Sequence, residues 1–171
     1  QPSVLVGHSL GGVIALAFAA QQPDLAQAVV AYEAPMSWMS WWPTSTAGSR
    51  ATRDGDDDGA AERFMRRLIG DDRWDALPER TRQQRRAEGP ALVAELRAIR
   101  PPSPPPYQPE QLTMPVLAAH GSRSDPHHQE TARRLASMVP RGELAVVEGA
   151  GHGAHLSHPA EFAALVRRLL P

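Results

Sequence analysis

Val4-Leu5-Val6-Gly7-His8-Ser9-Leu10-Gly11-Gly12 is the stretch on which the fold of this chain turns. Val4 to Val6 is a short apolar run bounded by Pro2 and Gly7, which suits a fully buried strand. Gly7 to Gly11 then has the form G-x-S-x-G. Gly12 to Gln22 follows as a helix apolar nearly all round, so a buried helix is expected, stopped by Pro23-Asp24. A turn this tight from strand into helix implies a strained backbone at Ser9 and no room for a Cβ at Gly7 or Gly11. It pushes the Ser9 hydroxyl out of the sheet edge and aims the Leu10 backbone N–H, at a helix N-terminus, where an oxyanion would form. Ala28 to Tyr32 reads as a second buried strand, closing one right-handed βαβ unit.

The rhythm then breaks. From Met36 to about Thr113 there is no strand signal. Trp38, Trp41 and Trp42 come first, then a polar loop with Asp54 and Asp56 to Asp58, then helical patches at 60–69, 78–88 and 90–99. In the last of these, Leu92, Val93, Leu96 and Ile99 form an apolar stripe at helical spacing. Five prolines between Pro101 and Pro106 impose a stiff, extended connector. Strand and helix patterns return with a strand at 116–119, a helix at about 129–139, a strand at 144–147 and a final helix from Pro159. The expectation is an α/β fold with a mostly parallel sheet. Residues 1–35 and 114–171 form its core, and 36–113 a helical insertion.

Composition bounds the function. The chain has 171 residues, 42% of them apolar, enough for a core, and a formal net charge of −1. Nothing in that balance draws it to nucleic acid or an anionic membrane. No apolar run reaches the roughly 18 residues of a membrane span, and no signal peptide is visible; a cytoplasmic protein is expected. There is no Cys, hence no disulfide framework and no thiolate metal site. All 18 basic residues are Arg, which reads as GC-rich codon usage, as in actinobacteria. Gln1-Pro2-Ser3 runs straight into a buried strand without an initiator Met, so a truncated chain is expected, its partner being the missing N-terminal half of the same fold.

A serine hydroxyl needs a base to act as a nucleophile. Gly149-Ala150-Gly151-His152 offers His152, in a loop after the last strand at the same sheet edge as Ser9. A carboxylate must then orient the imidazole. Asp125 follows the third strand and is the expected acid. His155 and His158, spaced by three, do not match the paired ligands of a helical zinc site, and His127-His128 are expected to open a solvated helix. The acidic run lacks the Gly and distal Glu of a calcium loop. No metal or cofactor is expected.

Ser9, Asp125 and His152 in that order, the G-x-S-x-G turn, the helical insertion and the ending GAGHGAHLSHPAEF resemble the α/β-hydrolase superfamily. The insertion, with EAPMSWMSWWP, is similar to that of capped actinobacterial members. The resemblance implies an eight-stranded sheet of which the strands here would be the fifth to eighth, with the insertion as a cap. It implies a small acyl substrate, and hydrolysis of a carboxylic ester through an acyl-enzyme. His8, Trp38, Trp41 and Trp42 are candidates for the substrate pocket. Carbon–carbon bond hydrolysis and a cofactor-free haloperoxidase reaction use the same triad, and a non-catalytic binding protein or an inactive fragment is the alternative of another class. Two departures stand out. The family's acid commonly lies three residues after the glycine ending its strand, whereas Asp125 stands four after Gly121, so that Ser122 or Ser124 would take the usual site; some family members instead place the acid after the sixth strand, where Glu33 is the alternative. The loop giving the second oxyanion donor is absent from this chain.

Overall fold

The computed structural model describes residues 1–52, 57, 59–100 and 104–170. Of the acidic run only Asp57 falls within these ranges, and Pro101 and Pro102 lie outside them. The chain divides into two compact units, Gln1–Met36 with Pro106–Pro171, and Ser37–Pro105. The helical insertion is thus shorter at its C-terminal end than the 36–113 expected. Tyr107 and Leu112 are buried apolar residues that bring the segment before the third strand into the sheet unit.

The first unit begins with β1 (Ser3–His8), α1 (Leu10–Gln21) and β2 (Ala26–Tyr32). The helical unit contains α2 (Ala47–Ala51), α3 (Ala60–Ile69), α4 (Asp71–Asp75), α5 (Glu79–Ala87) and α6 (Gly89–Ala98). The first unit resumes with β3 (Val116–Gly121), α7 (Pro126–Met138), β4 (Gly142–Val147), α8 (Ala154–Ser157) and α9 (Pro159–Arg167). The four strands form one parallel sheet in the order β1-β2-β3-β4. β3 is buried along its whole length, as an inner parallel strand must be. The register pairs His8 with Tyr32, Tyr32 with Ala119, and Gly121 with Val147. The carboxyl ends of all four strands therefore fall along one edge, where ligands of parallel α/β sheets collect.

α1 departs from the fully buried helix expected. It buries Gly12, Val13, Leu16 and Ala19 against β1 and β2, but Ile14 is 61% and Phe18 41% exposed. A helix apolar all round needs cover on more than one side, and among the described residues of its own unit α1 packs chiefly on β1 and β2. Within the helical unit the fully buried tryptophan is Trp74, whose Nε1 donates to Glu62 Oε1 at 3.1 Å. Trp38, Trp41 and Trp42 are half-buried. Glu62 also accepts from Arg66 and Arg86, whose guanidinium groups each lie 5.9 Å from the Trp74 ring. Among the described residues no helix is long and apolar enough to cross a membrane.

Candidate active site

Two non-glycine residues in the described chain have left-handed backbones, Ser9 (φ 55°) and Glu33 (φ 50°). Each immediately follows a strand at the carboxyl edge of the sheet. Such conformations cost about 1 to 3 kcal/mol apiece and persist only where the surroundings enforce them. At Ser9 the enforcement is visible. Its N–H donates to Tyr32 O at 2.8 Å, its carbonyl accepts from Gly12 N at 2.9 Å, and it stands as the N-cap of α1. A Cβ on Gly7 would lie 2.3 Å from Gly11 O, so position 7 admits only glycine. The expectation of a second clash at Gly11 fails, because a Cβ there would meet open space. The tight position is Gly12, where a Cβ would come within 2.7 Å of the Ala34 Cβ. Leu10 opens α1, and its N–H therefore has no intrahelical acceptor.

Glu33 is wholly buried, and both carboxylate oxygens are engaged. Oε2 accepts from His152 Nδ1 at 2.7 Å; Oε1 accepts from Gly121 N at 3.0 Å and from the Ser124 hydroxyl in a very short bond. Burial alone would push this carboxyl up. The bonds from His152, Ser124 and Gly121 outweigh it and hold the group at about 2, so it is an anion at neutral pH.

Asp125, the acid expected from sequence order, lies elsewhere. It is exposed at the start of α7, and its carboxylate has no hydrogen-bond partner among the described residues. The physical reason is the glycine that ends β3. Gly121 presents its N–H to Glu33, Ser124 turns its hydroxyl inward to the same carboxylate, and the next residue is directed to solvent. The position three after Gly121 here holds Ser124, which bonds the Glu33 carboxylate at the end of another strand.

The loop carrying His152 is pinned from several sides. Ser122 N donates to Val147 O at 3.0 Å, Arg123 N to Ala150 O at 2.9 Å, Gly149 N to Ser122 Oγ at 2.9 Å, and Tyr32 OH to Gly151 O at 2.9 Å. A Cβ on Gly121 would sit 2.2 Å from Ala150 O and 2.8 Å from the Tyr32 hydroxyl, so the two loops touch backbone to backbone. The serine turn reaches the histidine loop through His8, whose Nε2 lies 2.7 Å from His152 O. His8 is thus engaged with the loop backbone.

Around His152 the imidazoles form a chain of ring contacts. Centroids are 4.6 Å apart for His155–His8, 4.5 Å for His8–His152, 4.7 Å for His152–His128 and 4.2 Å for His128–His127. His128, expected in a solvated helix, instead stacks on His152 with the planes 22° apart. The signal available in the sequence was its place in the first turn of the helix that follows the Gly121 loop. Glu33, His128 and His152 each offer a ligand atom within 4.8 Å of the others. The two rings lie nearly parallel, so their in-plane lone pairs run side by side instead of converging on one point, and Glu33 is already fully engaged. The arrangement is one of rings packed around His152.

Burial, then the neighbouring His152, bring His8 down from 6.5 to about 4 and His128 down to about 3. Both rings are therefore neutral in the folded chain at pH values where the unfolded chain binds protons. Below about 6.5 the unfolded state takes up protons that the folded state refuses, and stability falls as the pH drops toward 4. From pH 7 to pH 5.5 the expected loss is about 1 kcal/mol for each ring, read as a lower urea midpoint. Replacing either histidine by Phe should remove its share of the slope. An unchanged slope in both variants would contradict the assignment.

The alpha/beta hydrolase family model matches residues 1–165. The chain belongs to the alpha/beta hydrolase family. Similar solved structures include an alpha/beta hydrolase enzyme, MGS-M2, from a Medee basin deep-sea metagenome library, at 18% identity and a TM-score of 0.70, with 98% of this chain and 64% of that one covered. The carboxylesterase CesB of Bacillus subtilis matches at 21% identity and a TM-score of 0.64, covering 99% and 60%. An E-2-(acetamidomethylene)succinate hydrolase matches at 22% and 0.58, covering 97% and 66%. This alpha/beta hydrolase chain thus spans roughly three-fifths to two-thirds of the length of these relatives, and its four parallel strands correspond to part of their fold.

Proposed function

We propose that the protein is a serine hydrolase cleaving a carboxylic ester or a related acyl bond, with Ser9 as nucleophile, His152 as base and Glu33 as the orienting acid. The observation that carries this is the 2.7 Å bond from His152 Nδ1 to a buried carboxylate held as an anion. That bond fixes the tautomer with the proton on Nδ1 and leaves Nε2 to take one. Ser9 Oγ attacks the carbonyl as its proton passes to His152, and Glu33 stabilises the imidazolium. The oxyanion collects on the Leu10 N–H. The alcohol leaves with the proton from His152. Water, deprotonated by the same nitrogen, then attacks the acyl-enzyme, releases the acid and returns Ser9.

The similar structures include a carboxylesterase, which is in line with an ester as the substrate class. A fluorophosphonate probe tests the reading in the complete protein. Labelling of Ser9, abolished in Ser9→Ala, is expected together with hydrolysis of a short p-nitrophenyl ester. A folded protein that takes no label would instead favour a non-catalytic binding protein.

A further inference from the structure

We propose that His128 is a positioning residue for the general base, and that its ring, stacked on His152, holds the imidazole in the plane in which Nε2 can face Ser9. The inference rests on the assignment of His152 as base and concerns what keeps that base in place.

Tethered at Cβ and bonded through Nδ1 to Glu33 Oε2, the His152 ring is held along one edge but can still tilt as its χ1 and χ2 angles librate. An aromatic face laid on the ring opposes that tilt. His128 lies at 4.7 Å and 22°, the most nearly parallel of the ring contacts in the site. Its own position is well defined. His128 N donates to Asp125 O at 2.9 Å in the first turn of α7, and Gln129 Nε2 donates to Ser124 O at 2.8 Å. Ser124 in turn bonds Glu33. One short segment, 121–128, therefore holds the acid with its first half and covers the base with its second.

The charge state fits the same role. His152 becomes a cation in the transition state, and a neutral π face tolerates that charge where a second cation would oppose it. Burial keeps His128 neutral over the working range, as it does His8. The charged and titratable groups facing His152 are Glu33 from the end of β2, His8 from the end of β1 and His128 from α7. Tyr32, His155 and His127 lie beyond them.

Three substitutions in the complete protein test the proposal. His128→Phe keeps a flat uncharged ring and should retain kcat within about threefold. His128→Ala frees the imidazole and should lower kcat by about tenfold or more with KM changed less than twofold, since ground-state binding is untouched. His128→Lys sets a cation against the base and should move the acid limb of kcat/KM to lower pH by about one unit. Wild-type kcat in His128→Ala, equal losses in the Phe and Ala variants, or an unmoved acid limb in a folded His128→Lys would each overturn the proposal. Fluorophosphonate labelling of Ser9 in the unmodified protein separates the cases. Absence of label overturns the hydrolase reading itself, whereas a labelled protein indifferent to His128→Ala overturns only the positioning role.

Discussion

Glu33→Gln should lower kcat by roughly four orders of magnitude, while Asp125→Asn leaves turnover within about twofold. The difference follows from hydrogen-bond donors. Oε1 of Glu33 faces the Gly121 N–H, a backbone donor that cannot turn away. A glutamine must therefore direct its carbonyl oxygen there and its NH2 group toward His152. Facing a donor, His152 Nδ1 becomes an acceptor, the ring proton moves to Nε2, and Nε2 can no longer take the proton of Ser9. The shape of the site is preserved and its tautomer is wrong. Asp125 offers the opposite case, since its carboxylate is exposed and bonds to nothing described. Steady-state kinetics on both variants, with circular dichroism to verify folding, decides between them. A large loss in Asp125→Asn with near-normal activity in Glu33→Gln would reverse the assignment.

Gly121→Ala should cost about 3 kcal/mol or more in stability and remove most of the activity. The added methyl would fall 2.2 Å from Ala150 O, and its obstacle is backbone, which cannot rotate aside as a long side chain could. The loops must separate. That separation loosens the Arg123–Ala150 and Tyr32–Gly151 bonds and withdraws the Gly121 N–H from Glu33, so histidine and acid lose their alignment together. Gly11→Ala is the matching control, because a Cβ there meets nothing. Chemical denaturation should show a lowered midpoint for the first variant and little change for the second. Equal stabilities would mean that the loops have slack which the close approach does not show.

The two variants probe different depths of information. The G-x-S-x-G turn was legible in the sequence because its constraint is local. Strand, turn and helix lie within about twenty residues, and the glycine at position 7 records a clash between atoms four residues apart. The parallel sheet was legible for a similar reason, since continuous apolar runs such as Val116 to Ala119 mark strands covered on both faces. The pairing of Ser9 with His152 as candidates came from chain order and flanking residues, which place both loops at one edge.

The carboxylate that meets His152 was not legible in that way. Asp125 and Glu33 both follow strands at the correct edge, and both lie between the serine and the histidine in the chain. What separates them is a left-handed backbone at Glu33, the inward turn of Ser124, and a backbone N–H at Gly121 that 88 residues of chain bring to the carboxylate. His128 carries the same lesson. As a residue in a helix it is unremarked, and only the meeting of the β3–α7 loop with the loop after β4 lays its ring on His152. Sequence alone determined the elements, the G-x-S-x-G turn and the sheet edge at which it lies, because these depend on neighbours along the chain. The tertiary structure decided which carboxylate meets the imidazole and which ring covers it, because hydrogen bonds and stacking depend on ångström distances between loops that no local pattern encodes.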